Sequence, residues 1–223
     1  MAKVYQVFVG CPFSKDIRKN YDRLKRDLES ETPLSIVLAD TVGVSSSDYL
    51  LEHITELIRD SAACIFDSTG ANPNVSLEVG IAHTIPTTFV LTFKTRKQRS
   101  SADSREGTNP PEVRSIISDL QGKNRVEYKT YTVLRNKVEG RFLKDLPYMM
   151  RWSGFKNQYK SMVPYVLKFF ADIRSSGRST RPRLQAILEG SGLSASEVTN
   201  AMRHAKIVVV QRGRKGGYYY PAK

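Results

Sequence analysis

Short apolar runs alternate with segments of helical periodicity along the first 94 residues of the chain. Four runs are almost continuously apolar, which predicts strands over 3–10, 33–40, 62–67 and 87–94. Between these runs apolar residues recur every three or four positions, which predicts helices over 14–31, 45–61 and 72–85. Buried strands separated by helices are typical of a parallel sheet covered on both faces. We therefore predict an α/β fold with a parallel sheet flanked by helices.

The regular alternation stops after residue 94. Residues 95–110 are polar and aperiodic, which predicts a long surface loop. The sequence then predicts a short helix over 110–120 and a fifth strand over 125–129. Two further helical stretches are predicted near 130–146 and 148–176.

The character of the sequence changes again at residue 178. Two short helices are predicted here, followed by two strands that a basic, glycine-rich turn joins. Ser194 and Glu197 fit a capping box at the start of the second helix. This order of elements is that of a winged helix-turn-helix. We predict three segments, namely a first domain over 1–146, a helical connector over 147–177 and a winged-helix domain over 178–223.

Charge is distributed unevenly along the 223 residues, whose net charge is +13. Residues 1–93 carry 8 Lys and Arg against 12 Asp and Glu, whereas the remainder carries 27 against 10. Residues 178–223 alone carry 9 against 2. Such an excess of positive charge indicates an anionic partner for the second half of the chain.

The sequence does not predict a membrane-bound or secreted protein. No apolar run reaches the roughly 18–20 residues that a membrane-spanning helix needs. The N-terminus enters a strand pattern directly, unlike a signal peptide. The two cysteines, Cys11 and Cys64, do not make a disulfide framework and fit a reducing compartment. We predict a cytoplasmic protein that has no contact with a membrane.

Residues 64–83, "CIFDSTGANPNVSLEVGIAH", combine a buried strand with the start of a helix. Asp67 ends the strand, and ligands of open parallel sheets bind outside such strand ends. Asn72 is a good helix N-cap, and the free amides of that helix start attract anions. Glu78 follows Asn74 by four residues, so both project from one helix face. The sequence predicts Glu78 in a crevice near Asp67 and Asn74.

A carboxylate in such a crevice has two uses. Glu78 could act on the anomeric carbon of a sugar as a base departs, because carboxylates stabilise oxocarbenium-like transition states. It could instead bind ribose hydroxyls without chemistry, and the third alternative is an ordinary surface residue of the helix. The three histidines and two cysteines do not cluster, so no metal site is predicted, and no GxxxxGK[ST] or GxGxxG motif is present.

Two motifs resemble the nucleoside 2-deoxyribosyltransferase-like and TIR-like nucleotide-binding families. They are "FVGCPFSKDIRKNYDRL" and "FDSTGANPNVSLEVGIAH", and the similarity covers roughly residues 4–145. Members show an opening strand before a Pro-Phe-Ser loop, then Asp, Thr-Gly-x-Asn-Pro-Asn-Val and Glu-Leu-Gly-x-Ala. The last element departs conservatively here as "EVGIA". The resemblance implies a flavodoxin-like or TIR-like fold for residues 1–146.

The resemblance also implies roles for individual residues. Glu78 matches the catalytic glutamate that acts on the anomeric carbon, and Asp67 matches the acidic residue that helps orient the sugar or base. The remaining matched positions would line the pocket and bind substrate, and they are Gly10, Pro12, Phe13, Ser14, Asn72 and Asn74. No cofactor is implied, and NAD or another nucleotide is the expected substrate or ligand.

The basic C-terminal segment is predicted to contact nucleic acid. The second helix of a helix-turn-helix enters the major groove, which would turn Thr199, Asn200 and Arg203 outwards to contact bases. Arg212, Arg214 and Lys215 in the basic turn suit phosphate groups. The alternative is a winged helix that binds a protein, and the surplus of positive charge favours nucleic acid.

These observations leave three functions open. The first is an enzyme that cleaves the N-glycosidic bond of a nucleotide such as NAD; a TIR-like domain joined to a recognition module resembles bacterial defence effectors, in which NAD depletion is a common output. The second is a regulator that senses a nucleotide and binds DNA without catalysis. The third is an enzyme that excises a base from DNA, which requires the base to leave the stack. The sequence leaves self-association into a homo-oligomer open as well.

Overall fold

A five-stranded parallel sheet forms the larger part of the fold. The structure is a computed structural model, and it describes residues 3–39, 47–70, 72–95, 125–211, 213 and 217–222. Its strands are β1 (Lys3–Gly10), β2 (Ser35–Leu38), β3 (Ser61–Asp67), β4 (Thr88–Lys94) and β5 (Arg125–Tyr128). The order across the sheet is β2-β1-β3-β4-β5, and all neighbouring strands run parallel. The predicted α/β fold is therefore confirmed. The helix predicted over 110–120 and nearly all of the predicted loop over 95–110 lie outside the described residues.

Helices cover both faces of this sheet. They are α1 (Lys15–Glu31), α2 (Ser47–Asp60) and α3 (Pro73–Thr84). The apolar side of α1 packs with Val7 and Val9 on one face, while α3 packs with Phe8 and Phe66 on the other. The chain leaves β1 towards one sheet edge and leaves β3 towards the other. The space between the carboxyl ends of β1 and β3 is thus the switch point at which α/β sheets bind ligands.

A helical region follows β5 and is more broken than its pattern predicts. Its segments are α4 (Tyr131–Lys137), a π-helical turn (Val138–Phe142), a 3₁₀ turn (Leu143–Asp145), α5 (Pro147–Gln158), a 3₁₀ turn (Lys160–Met162) and α6 (Val163–Ser176). The stretch predicted over 148–176 is helical but interrupted before α6, because Pro164 cannot donate a backbone hydrogen bond and its ring excludes a continuing helix. In the described residues no helix is both long enough and apolar enough to cross a bilayer.

The helices α5 and α6 are hydrogen-bonded to the backbone at the C-terminal end of α1 and just beyond it. Arg174 of α6 donates to the backbone oxygens of Glu29, at 2.6 Å, and Leu34, at 3.3 Å. The indole nitrogen of Trp152 donates to the Glu31 oxygen at 3.2 Å. Towards the C-terminal region, the Tyr148 hydroxyl of α5 donates to the backbone oxygen of Ile207 at 2.9 Å. The helical connector therefore contacts both the sheet region and the C-terminal region through directed bonds.

The C-terminal region contains two helices and a small antiparallel sheet. Its elements are β6 (Ser179–Thr180), α7 (Arg181–Leu188), α8 (Ala195–His204), β7 (Val208–Gln211) and β8 (Tyr218–Pro221), and the strand order is β6-β8-β7. The capping box of Ser194 and Glu197 is confirmed at the start of α8. The short strand β6 was not predicted. The division into segments 1–146, 147–177 and 178–223 stays a prediction.

Candidate active site

Glu78 lies on the buried side of α3. The helix buries Val75, Glu78, Val79 and Ala82, so the carboxylate points towards the sheet and only 6% of the residue is exposed. Its Oε2 atom has no hydrogen-bond partner among the described residues. Burying a carboxylate without such a partner costs free energy, so a site of this kind is a candidate for function.

Gly10, the last residue of β1, makes room for this carboxylate. A Cβ atom placed on Gly10 would overlap Oε2 of Glu78 and would lie 2.9 Å from Cδ1 of Phe66. A glycine is therefore required where β1 ends, because the Glu78 carboxylate crosses directly over the backbone there. The predicted role of Gly10 in binding substrate stays a prediction.

We expect Gly10→Ala to destabilise the fold by about 1–3 kcal/mol, because the added methyl group must displace the Glu78 carboxylate or Phe66. Gly80→Ala is the matched control, since a Cβ at Gly80 meets no atom within 4 Å and Gly80 lies in the same helix as Glu78. The control should stabilise the helix by about 0.5–1 kcal/mol. Urea denaturation of both variants measures the difference, and shifts of equal sign would contradict the packing described.

Burial raises the pKa of the Glu78 carboxyl from its usual 4.5 to about 7. Between these two values the folded chain holds a proton that the unfolded chain releases. The free energy of unfolding therefore falls as the pH rises through this interval. The full cost, reached above pH 7, is about 3 kcal/mol.

Glu78→Gln removes this titration. We expect the free energy of unfolding of the variant to fall less than that of the wild type between about pH 5 and pH 8, by up to about 3 kcal/mol. Urea denaturation at both pH values measures the difference. Glu189→Gln, at an exposed position, is the control and should retain the full fall. Equal falls in wild type and Glu78→Gln would show that the Glu78 pKa is not raised.

Asp67 ends β3, as predicted, and is fully buried. Its Oδ2 accepts hydrogen bonds from the hydroxyls of Tyr21, at 2.9 Å, and Tyr128, at 2.6 Å, and its Oδ1 accepts from the Thr69 amide at 2.9 Å. Phe66, the preceding residue, faces α3 instead. Because successive strand residues point to opposite faces, the Asp67 carboxylate is turned away from the α3 layer that carries Glu78. Both carboxylates nevertheless act on the Cys11 thiol, and their sharing of one crevice stays a prediction.

A cluster of hydroxyl groups around Asp67 was missed in the sequence. Tyr21 of α1 and Thr92 of β4 are 2.5 Å apart at their hydroxyls, and Tyr128 of β5 completes the cluster. Burial, and then the Asp67 charge, raise the pKa of both phenols above the usual 10.0, so both donate protons to the carboxylate. The sequence could have indicated this cluster, because Tyr21 and Tyr128 both occupy core positions and a buried tyrosine hydroxyl needs a hydrogen-bond partner.

The other predicted substrate-binding residues follow β1 and β3, which are neighbours in the sheet. Pro12 is buried, whereas Phe13 is 60% exposed and Ser14 is exposed. Asn72 is the N-cap of α3, where its Oδ1 accepts from the amides of Asn74 and Val75. These residues are therefore placed at one sheet edge, and Asn72 already uses its oxygen to cap the helix.

Cys11 lies beside this edge as a neutral thiol. Burial raises its pKa to about 12, with Arg18 opposing the shift and Asp67 and Glu78 adding to it. A thiol in this state is a poor nucleophile. Among the described residues no group of three or more His, Cys, Asp and Glu could hold a metal ion. The chemistry available at this edge is therefore that of the Glu78 carboxyl.

The predicted nucleic-acid contacts divide into three groups. Asn200 and Arg203 are exposed on α8. Thr199 does not face outwards as predicted, because its hydroxyl donates to the Ala195 oxygen and lies 3.0 Å from the Tyr219 hydroxyl. The basic-turn residues are outside the described part of the chain, and they are Arg212, Arg214 and Lys215.

Comparisons with known proteins add only distant structural similarity. No family model matches the chain, and no curated protein matches it. Among solved structures it is similar to a 2-desoxiribosyltransferase from Leishmania mexicana, at 12% identity and a TM-score of 0.36. The match covers 40% of this chain and 65% of that one, so the chain spans less than two thirds of its length. At this distance, fold and activity are to be argued from this chain's own residues.

Proposed function

We propose that this protein cleaves the N-glycosidic bond of a nucleotide, with Glu78 as the catalytic residue. The observation that carries the proposal is the buried Glu78 carboxyl, whose Oε2 has no partner among the described residues. It lies over Gly10 at the carboxyl end of β1, beside the switch point of the sheet. A carboxylate oxygen that accepts no hydrogen bond from the protein is available to contact the anomeric carbon of a bound substrate.

The chemistry proceeds in two steps. An oxygen of the Glu78 carboxylate bonds to the anomeric carbon as the bond to the base nitrogen breaks, and the electron pair leaves with the base. Water then attacks the same carbon, releases the carboxylate and loses its proton to solvent. Both steps pass through an oxocarbenium-like transition state, which a nearby negative charge stabilises.

The surroundings of Glu78 favour a substrate such as NAD. Burial is the cause of its raised pKa. The Asp67 carboxylate already accepts hydrogen bonds from Tyr21, Tyr128 and Thr69, so in this proposal it does not protonate a leaving base. The positively charged nicotinamide of NAD leaves as a neutral molecule and needs no such proton. Its positive charge would also lower the Glu78 pKa and favour the ionised nucleophile.

A survey of products tests this proposal. Purified protein would be incubated with NAD, nucleoside monophosphates, deoxynucleotides and duplex DNA, and free bases would be measured by mass spectrometry. Release of nicotinamide or another base supports the enzyme, and its identity distinguishes NAD cleavage from base excision in DNA. Binding of a nucleotide with no release of any base would favour the alternative, a nucleotide-sensing regulator. A role as a defence effector stays a prediction.

We further propose that the C-terminal region is a winged helix that binds nucleic acid through α8. Two exposed side chains of the predicted set, Asn200 and Arg203, lie on this helix, and both can hydrogen-bond base edges in the major groove. The excess of positive charge in residues 178–223 supports an anionic partner. In this proposal the helix recruits the catalytic domain to DNA.

A further inference from the structure

The small sheet of the C-terminal region has two different faces. Tyr219 of β8 points inwards, where its ring packs edge-on against Phe169 at 5.3 Å and its hydroxyl meets Thr199 of α8. Tyr218 and Tyr220 therefore point to the opposite face, because side chains alternate along a strand. Both are only partly buried, whereas 2% of Tyr219 is exposed. The outer face of this sheet thus carries two accessible aromatic rings.

Neighbouring strands extend this outer face. In the antiparallel register, Val209 lies opposite Tyr220 and Gln211 lies opposite Tyr218, so the paired side chains share a face. Val209 is 44% exposed and Gln211 is exposed as well. We call this surface the tyrosine face and define it by five residues, which are Arg178, Val209, Gln211, Tyr218 and Tyr220.

Arg178 adds a positive charge that the two tyrosines hold in place. Its guanidinium carbon lies 4.2 Å from the centre of the Tyr218 ring, and the nearby Tyr220 hydroxyl raises the pKa of the guanidinium. Arg178 is nevertheless exposed to solvent. A guanidinium over the Tyr218 ring is held on the outer face of the sheet. The tyrosine face therefore combines flat stacking groups with a preorganised cation.

Gly213 leaves the edge of this surface uncovered. A Cβ atom at Gly213 would lie 2.9 Å from Cε2 of Tyr218, so a side chain at this position would press against the ring. The glycine at this position therefore leaves the Tyr218 ring its place at the edge of the tyrosine face.

We propose that the tyrosine face binds single-stranded nucleic acid, with unpaired bases stacking on Tyr218, Tyr220 and the Arg178 guanidinium. Stacking on aromatic and guanidinium planes, in a positively charged setting, is the usual recognition of single strands. Duplex bases are already stacked on one another, so a flat face offers them no comparable contact. The charge of residues 178–223, with 9 Lys and Arg against 2 Asp and Glu, complements the phosphate backbone.

This surface is separate from the other proposed sites. It is the opposite side of the small sheet from Thr199 and α8, so it does not depend on binding in a major groove. It also involves no residue of the edge that carries Glu78. A negative result for catalysis by Glu78 or for duplex binding by α8 would therefore not affect this proposal. A negative result for the tyrosine face would likewise not affect those two.

The test is fluorescence anisotropy with labelled oligothymidylate and oligouridylate of about 12 nucleotides and with a duplex of equal length. The double variant Tyr218→Thr, Tyr220→Thr replaces both rings with β-branched side chains, which suit a strand, and should bind single strands at least about tenfold more weakly. Its salt dependence should match the wild type, because no charge is removed. Tighter binding of oligouridylate than of oligothymidylate would identify RNA as the preferred strand.

Arg178→Gln is the second variant, and its exposed position carries little risk to folding. It should weaken single-strand binding and lower the slope of log affinity against log salt by about 0.7. Arg26→Gln, at an exposed position of α1, is the matched control and should leave both unchanged. Arg203→Gln should weaken only duplex binding, which tests the proposed role of α8.

Two results would overturn the proposal. One is a wild-type protein that binds neither oligonucleotide, in which case the tyrosine face would be assigned to a protein partner. The other is an Arg178→Gln protein that keeps wild-type single-strand affinity and salt slope. Circular dichroism of the double tyrosine variant confirms that its weaker binding reports lost stacking and not lost folding.

Discussion

Glu78→Gln is expected to reduce base release at least about a thousandfold, while the protein still folds and binds its nucleotide. An amide of the same shape occupies the space over Gly10, but it is neither a nucleophile nor a negative charge. Both steps of the proposed reaction need that charge, whereas ground-state binding by the neighbouring loops does not. Single-turnover rates and nucleotide affinity, measured separately, distinguish the two effects.

The pH dependence of the reaction adds an independent check. Because the Glu78 pKa is raised to about 7, the ionised fraction, and with it the rate of base release, should rise with pH and level off above this value. Glu189→Gln should keep the wild-type rate and profile. Base release that survives in Glu78→Gln would remove Glu78 from catalysis, whereas loss of nucleotide affinity alone would assign it to ribose binding.

Asp67→Ala is expected to cost roughly 3–5 kcal/mol of the free energy of unfolding. The substitution leaves the phenols of Tyr21 and Tyr128 and the amide of Thr69 without their shared acceptor in a buried site. These groups join α1, β5 and the turn after β3, so their loss loosens the carboxyl edge of the sheet. Urea denaturation measures the cost, and Asp16→Ala at an exposed position of α1 is the matched control.

Asp67→Asn separates a positioning role from a catalytic one. The amide retains one oxygen acceptor, so we expect partial loss of stability and a rate of base release that falls with it. If Asp67→Asn lost base release while keeping the wild-type urea midpoint, the catalytic role implied by the family resemblance would hold. A stability of Asp67→Ala within about 0.5 kcal/mol of wild type would contradict the hydroxyl cluster.

The pattern of apolar residues was sufficient for most elements of the sheet region. All five strands and the helices α1, α2 and α3 lie within a few residues of their predicted positions. Continuous apolar strands and amphipathic helices are local properties, because each follows from the side chains of one segment. Helix breaks depend on single residues, and Pro164 interrupts a stretch whose apolar spacing otherwise predicts one helix.

The element and position in which each of these site residues lies could also be predicted from the sequence. Asp67 at the end of a strand, Asn72 as a helix cap and Glu78 on the same helix all follow from local spacing. Their orientation towards each other was not accessible, because it depends on which sheet face each helix covers. That choice follows from the crossover connections of the whole sheet, which no local pattern records.

The sequence by itself determined an α/β fold, the strand end at Asp67, the cap at Asn72 and a basic C-terminal region. Only the tertiary structure decided that Glu78 and Asp67 belong to opposite faces, since β3 separates the layers that contain them. It also decided that Gly10 lies against Glu78, that Tyr21 and Tyr128 share one carboxylate, and that Arg178 stacks on Tyr218. Each of these contacts joins residues of separate elements, and burial changes their pKa and hydrogen bonding only after the elements pack together.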